Sequence, residues 1–492
     1  MPATDAVVVG SGPNGLTAAI TLAQAGLAVE LFEASEGIGG GARTDELTLP
    51  GFAHDPCSAV HPLGIGSPAF RALPLAEHGL RWLQPDLALA HPVPGRPAVV
   101  LDRGFQATVA SLGRDGHRYR RLLQPFADRW DALAAAFLRA PLDGFPPHPA
   151  LLAAFGVPGG LPISALAAFF KESGTRAMLS GLAAHVIAPL STPATGGVAM
   201  VFAAAAHANG WPVPAGGSQS ITDALAGYFR LLGGKIHTGT LVRSIDELPP
   251  ARAYVLDVSP RDLVTIGGHR LGRKYAARLG RYYSYGPAAF KIDYALSEPV
   301  PWLDPDCRRA GTVHIGPSVP EIGNALKAVQ HGRPPNPPFL ITSQPTVVDP
   351  SRAPEGKSVF WAYGHVPAGW PGDLTTLMEK QIERFAPGFR DLVLARSVRG
   401  PAALEAANRN YLGGDIACGA FRGTQLLFRP IPVPVPYATP DPRIFLCSAA
   451  TPPGPGVHGM CGWHAARTAL RRVFGVSGAG MTRARMTEAI GG

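Results

Sequence analysis

An α/β fold is predicted from three features. An apolar run near the N-terminus passes through a glycine turn into a helical pattern, strand-and-helix texture returns beyond residue 210, and a last strand, turn and helix close the chain. The first feature is the most informative. Asp5–Val9 is short, apolar and β-branched, as a buried strand is. It enters Gly10-Ser-Gly12-Pro13-Asn14-Gly15, after which Leu16, Ala19, Ile20, Leu22 and Ala23 recur at helical spacing until Gly26. Leu27–Phe32 is a second apolar run and ends in Glu33. Strand, glycine turn, helix, strand and acid within about 30 residues form one Rossmann-like βαβ unit.

Each part has a physical role. Gly10 permits the tight turn, Gly12 has no Cβ and lets a pyrophosphate approach, and Gly15 lets the helix pack on the sheet. The helix that starts at Pro13 and Asn14 offers its free N–H groups, Pro13 having none, and the positive end of a dipole to the phosphates. Glu33, followed by Ala34, accepts from the adenosine ribose, and its charge disfavours a 2′-phosphate and so NADP. In a chain with 59 glycines the motif alone is weak, and its flanking elements carry the reading. A second glycine turn, Gly39-Gly40-Gly41-Ala42-Arg43-Thr44, follows at once. It resembles the extension in flavoproteins of the glutathione reductase type, where a GG-R-x-x-[ST] turn continues along the FAD diphosphate. Here Gly41 stands in the usual Arg place and Arg43 comes two residues later, which leaves the pairing of Arg43 with phosphate open.

The 492 residues exceed a single core, so two or three connected domains are expected. The net charge of +9 suits an anionic membrane surface or plain solubility. No basic cluster interleaved with aromatics suggests nucleic acid. No signal peptide and no spanning segment are read; the apolar stretch 177–206 is broken by His185, Pro189, Pro193 and Gly196-Gly197. Five scattered cysteines without a CxxC pair argue against a dithiol centre and for a reducing cytosol.

Further along, residues 47–52 suit a strand and loop. His54, Asp55, Cys57 and His61 fit no common zinc spacing, so no metal is expected; they line a cofactor-side cavity or are loop groups satisfied by backbone. Residues 118–139, 161–170 and 175–187 read as helices, packing their own core or offering an apolar face to a lipid-like substrate or a membrane surface. Ser220-Ile-Thr-Asp223 reads as a capping box before a helix closed by Gly233-Gly234. Residues 235–238, 241–245 and 253–258 read as strands. Alternation of Phe290, Ile292, Tyr294 and Leu296 with Lys291, Asp293 and Ala295 reads as a half-buried strand. Further strands are expected at 312–315, 339–343 and 358–363, with a helix over 374–385. Trp361, Tyr363 and His365 share one strand face, which looks into a cavity or packs in a core. A strand at 443–448 leads to a helix over 460–474, and the small, polar tail from 476 reads as frayed.

Together, Gly10–Gly15, Gly39–Thr44, His54–Ser58, Pro214–Gly217, Val255–Pro260, Asn410–Asp415 and Cys447–Gly459 resemble the phytoene desaturase and carotenoid isomerase family of FAD-dependent oxidoreductases. Within it, the similarity is to the branch of pyridine nucleotide-disulphide oxidoreductase domain-containing proteins, although the disulphide motif is absent. The resemblance spans nearly the whole chain. It implies a Rossmann-like FAD-binding domain formed discontinuously by 1–70, 210–265 and 425–492, a mainly helical cap over 71–209, and a mixed-sheet α+β substrate domain over 266–424. It implies that Thr451, Gly456, Val457, His458 and Gly459 lie against the flavin, that the helix after Gly459 faces the pyrimidine edge, and that Val242 pairs with adenine.

The expected activity is FAD-dependent oxidation, reduction or isomerisation at C–C or C=C bonds of a long apolar, isoprenoid- or polyene-like molecule. His458, His61 and Tyr363 are candidate proton handlers, each with a structural alternative. The competing readings are a flavin amine or amino-acid oxidase, and an FAD-binding protein with a structural or partner-binding role. The expected location is cytoplasmic, with peripheral membrane contact as an option.

Overall fold

The structure, a computed structural model, describes residues 4–476. Two sheets organise it. The first is parallel, in the order Ile444–Leu446, Ala253–Leu256, Ala6–Val9, Val29–Phe32, Lys235–His237. Its N-terminal strand alternates between two cores. Ala6 and Val8 pack against the helices Pro13–Ala23, Gln219–Leu231 and Met460–Ala469, and Val7 and Val9 pack against Val242, Leu256 and Leu263 on the other side. Burial on both faces explains the unbroken apolar run. The α/β, Rossmann-like expectation is thereby met.

Head and tail of the chain touch through glycine. A Cβ on Gly462 would lie 1.8 Å from the Asn14 carbonyl oxygen, so only glycine lets the C-terminal helix cross the first one at this distance. Gly15 is equally constrained, with a Cβ 1.9 Å from the Gly10 oxygen.

The second sheet has seven strands in the order Val393–Arg399, Ala288–Leu296, Ser358–Val366, Leu340–Ser343, Ala310–Ile315, Leu87–Val93, Arg96–Leu101. All its pairs are antiparallel except Ala310–Ile315 with Leu87–Val93. The last two strands come from the otherwise helical stretch 71–209, and they tie that stretch to the sheet. One sheet face carries Phe290, Ile292, Leu340, Phe360 and Ala362 into a core closed by the helix Thr375–Glu383.

Several local expectations are corrected. The strand at 288–296 is not half-buried: Lys291 is 3% exposed and Asp293 fully buried, because the two form an ion pair with each other, under the Trp361 ring. The capping box fails: the helix Gln219–Leu231 takes Ser218 as N-cap, and the Ser220 hydroxyl donates to the Gly217 carbonyl. Residues 241–245 form no strand, since the chain crosses the end of the second strand, where the Thr240 N–H donates to the Glu33 carbonyl at 2.8 Å. Residues 47–52 are bends and turns, with only an isolated bridge between Asp45 and His54 around them. Residues 118–139 divide into Gly116–Ala127 and Trp130–Phe137, because Arg129 leaves helical geometry (φ −120°, ψ 37°). The tail expected to fray from 476 lies outside the described residues beyond 476.

Candidate active site

One cavity of about 800 Å³ runs through the molecule, and both ends of the chain line it. Its first part is a crevice over the carboxyl ends of the parallel strands, as a dinucleotide requires. Gly10, Gly12, Pro13 and Asn14 form one wall, Glu33, Ala34 and Val242 one end, Gly40, Gly41 and Arg43 the facing turn, and Gly456 and Val457 the closing loop. Gly10 is at φ +99°, which a residue with a side chain resists. Glu33 is oriented from the glycine turn: one oxygen accepts from the Ser11 N–H at 2.8 Å and hydroxyl at 2.6 Å, the other from the Ser35 N–H at 2.8 Å.

The crevice suits an anionic diphosphate. A Cβ on Gly40 would come within 3.0 Å of the Gly12 Cα, so the two turns approach with bare backbone. Arg43 lines the crevice, and its buried Nε has no partner among the described residues. The displaced arginine also has a cause. A Cβ on Gly41 would lie 2.2 Å from the Tyr411 hydroxyl, which itself bonds the Cys57 thiol at 3.1 Å, so a side chain at 41 would have to displace that hydroxyl.

Other expected residues lie behind the surface. Gly15 packs inside the turn, and Ala42 is fully buried. Thr44 donates to Asp55, whose carboxylate also accepts from Ser218 N–H at 2.8 Å and from buried Arg352 at 2.9 Å, so this side chain locks loops together. Thr451 bonds the Ser448 carbonyl. His458 is off the cavity wall, its Nδ1 accepting the Met460 N–H at 3.1 Å and so capping the C-terminal helix; burial holds its pKa down at about 4. Gly459, at φ +67°, fits against Thr17, where a Cβ would come within 2.3 Å of the hydroxyl.

Beyond the crevice the cavity becomes a chamber. The free face of the seven-stranded sheet is its floor. Register places Thr312, Ser343, Trp361 and Asp293 in one cross-strand row and His314, Ile341, Tyr363 and Lys291 in the next. Of these, Thr312, Ile341, Trp361 and Tyr363 line the cavity. The helical stretch supplies the opposite wall with His185 and Phe202, joined by Trp211 just after it, and Trp211 is fixed by its indole N–H donating to the Thr312 hydroxyl at 2.9 Å. His61 lies between crevice and chamber, with its Nε2 2.8 Å from the Ser218 hydroxyl. Among the described residues no carboxylate lines the chamber part, the acids of the cavity being Glu33, Asp257 and Asp262 at the crevice.

The electrostatics are those of a dry site. Burial keeps His61 and His185 down at about 4, both neutral near pH 7, and pushes the Tyr363 phenol up. His185 Nε2 lies 3.0 Å from His314 Nε2. His365 follows Tyr363 along the strand but is off the cavity wall, both its nitrogens without partners.

Three relations were not legible in the sequence alone. Asp257 ends a strand just as Glu33 does, which is the signal that was available. His185 breaks an apolar run, a weak sign. Tyr411 and Cys57 meet only through the fold.

Comparison with known proteins agrees with the fold. A family described as an NAD(P)-binding Rossmann-like domain matches residues 8–73. The mouse pyridine nucleotide-disulfide oxidoreductase domain-containing protein 2 is 27% identical over 96% of this chain and 94% of its own. The chain is a homologue of that protein. A lycopene-forming phytoene desaturase from Pseudescherichia vulneris is 25% identical over 50% of this chain and 53% of its own. A double mutant of putrescine oxidase shares the fold, at TM-score 0.61 and 17% identity, covering 96% of this chain and 99% of that one. Among the described residues, no helix is long and apolar enough to cross a membrane.

Proposed function

We propose that the protein is an FAD-dependent oxidoreductase acting at C–C or C=C bonds of an apolar, isoprenoid- or polyene-like molecule. The observation that carries this is the single cavity joining a dinucleotide crevice to an aromatic chamber that no carboxylate lines. Bound FAD supplies the two-electron chemistry. Gly10–Asn14, Gly40 and Arg43 would hold its diphosphate, and Glu33 and Val242 its adenosine.

The chain's own residues orient the substrate and exclude water. Trp361 and Tyr363 stack with centroids 5.7 Å apart, a flat surface for a conjugated or branched hydrocarbon. Neutral His61 and His185 are able to take a proton at a ring nitrogen, and Tyr363 to hold one. The shared volume of about 800 Å³ leaves room for a segment of a long chain rather than all of it. A cationic amine finds no counter-charge in the chamber, which disfavours the amine oxidase reading.

Delivery from a membrane surface is part of the proposal. Phe145, Val157 and Phe169 of the helical stretch are 83%, 77% and 63% exposed and suit a lipid boundary.

The test is anaerobic bleaching of the FAD-loaded protein. Apolar alkenes or polyenes in detergent are expected to change the flavin spectrum, and primary amines and amino acids to leave it unchanged. Bleaching by amines alone would replace this proposal with amine oxidation. A spectrum inert to both and to dithionite would mark the nucleotide as structural.

A further inference from the structure

We infer that Asp257 enters the dinucleotide complex as a neutral carboxylic acid, so that binding FAD takes up one proton. This rests on the FAD reading above and concerns a residue outside the glycine turns and the ribose acid.

Asp257 follows the strand Ala253–Leu256 and lies directly beneath the glycine turn. A Cβ on Gly12 would come 2.9 Å from its Oδ2, and one on Gly10 3.0 Å from its Cβ. Oδ2 accepts the Gly15 N–H at 3.0 Å, so the carboxyl already uses one of the amides that open the helix. Its backbone is fixed on both sides, the N–H donating to the Val9 carbonyl at 2.7 Å and the carbonyl accepting from Asn410 at 3.1 Å. The side chain is thus rooted beneath the turn.

Only the Gly15 N–H favours a charge on it. No Lys or Arg pairs with Asp257 among the described residues. Glu33, at the end of the neighbouring strand, adds a like charge. Cys418 from the loop, Cys447 beyond the last strand and Cys461 from the C-terminal helix face it as thiols that burial keeps protonated. Arg409 on the crevice wall is paired with Asp262 at 3.1 Å. Burial already pushes Asp257 up to about 7, with the Gly15 N–H opposing the shift. A diphosphate laid over this turn brings further negative charge and covers the half-buried edge. The ionised form then repels the ligand, whereas the neutral acid offers an O–H to a phosphate or ribityl oxygen. Neighbouring His61 and His458, held at about 4, do not titrate in the same range.

The experiment is FAD binding to the deflavinated full-length chain, followed by flavin fluorescence between about pH 6 and 9. The wild-type Kd is expected to weaken by up to about ten-fold per pH unit above 7, while Asp257→Asn, which keeps an acceptor for Gly15, gives a flat profile. Calorimetry at about pH 8 in buffers of different ionisation enthalpy should show about one proton taken up by the wild type and none by the variant. The wild-type proton count needs no variant. Tight FAD binding with a flat wild-type profile, no proton uptake, or a slope kept by Asp257→Asn each overturns the inference and leaves the FAD reading standing. A chain that binds no FAD at any pH overturns that reading and this inference together.

Discussion

The crevice and the chamber are continuous, yet they are made differently. The crevice is built from backbone: amides at a helix start, a left-handed Gly10, and turns that meet at Gly12 and Gly40 without side chains between them. The chamber is built from side chains carried by segments far apart in sequence, with Trp211 held to Thr312 and Trp361 seated over Lys291. Backbone recognition suits a cofactor whose diphosphate never changes. Side-chain walls suit a substrate, because they can vary without disturbing the fold.

Glycine substitutions should break one half and spare the other. Gly15→Val and Gly462→Val force atoms to within 2 Å of a carbonyl oxygen and should prevent stable folding, seen as loss of soluble protein with a cooperative melt. Gly12→Val meets only the Asp257 carboxyl, so the protein should fold and bind no FAD. Stoichiometric FAD on Gly12→Val would refute the crevice assignment.

Acid should act on the buried histidines and on Asp257 with opposite signs. On the chamber side, burial lowers His91 and His185 to about 4 and His365 to about 3, from 6.5. Unfolding lets each take a proton below 6.5. The stability they contribute is present above 6.5 and is lost as pH falls toward their folded values, at up to ~1.4 kcal/mol per pH unit for each. Asp257 at the crevice works oppositely: its folded value of about 7 lies above 3.8, so its contribution weakens as pH rises from 3.8 to 7. Urea midpoints should therefore drop steeply between pH 6.5 and 5. A flat midpoint over that range would mean the histidines are not buried as described.

Next in size is the ion pair under the chamber floor. Lys291→Met leaves Asp293 buried without its partner and should cost about 3–5 kcal/mol in denaturant unfolding, whereas Lys291→Met with Asp293→Leu should recover most of it. FAD affinity should barely change, since neither residue lines the cavity. The smallest effect is expected for Trp361→Phe. Its buried Nε1 has no partner, so removing that N–H should shift stability by under about 1 kcal/mol while altering which molecules bleach the flavin.

The sequence carried the crevice in detail because its parts are local. Gly10, Gly12, Glu33 and Arg43 fall within one short stretch and line one wall and its facing turn. The chamber was far less legible. Tyr363 and Trp361 showed only as alternation along a strand, and nothing placed His185 or Trp211 opposite them. Lys291 and Asp293 looked like a solvent face because a charged alternation is usually exposed, and only mutual pairing let both be buried. His458 sat in a flavin-side motif, but its ring caps a helix.

By itself, then, the sequence determined a strand–turn–helix suited to a dinucleotide, because glycine placement and hydrophobic period act within a few residues of each other. The tertiary structure alone decided that the final loop closes the same cavity, that an acid lies beneath the turn, and that a sheet face with a histidine and two tryptophans forms the chamber. Those relations join residues more than a hundred positions apart. They depend on register between strands and on helix crossings through Gly462, which no local pattern encodes.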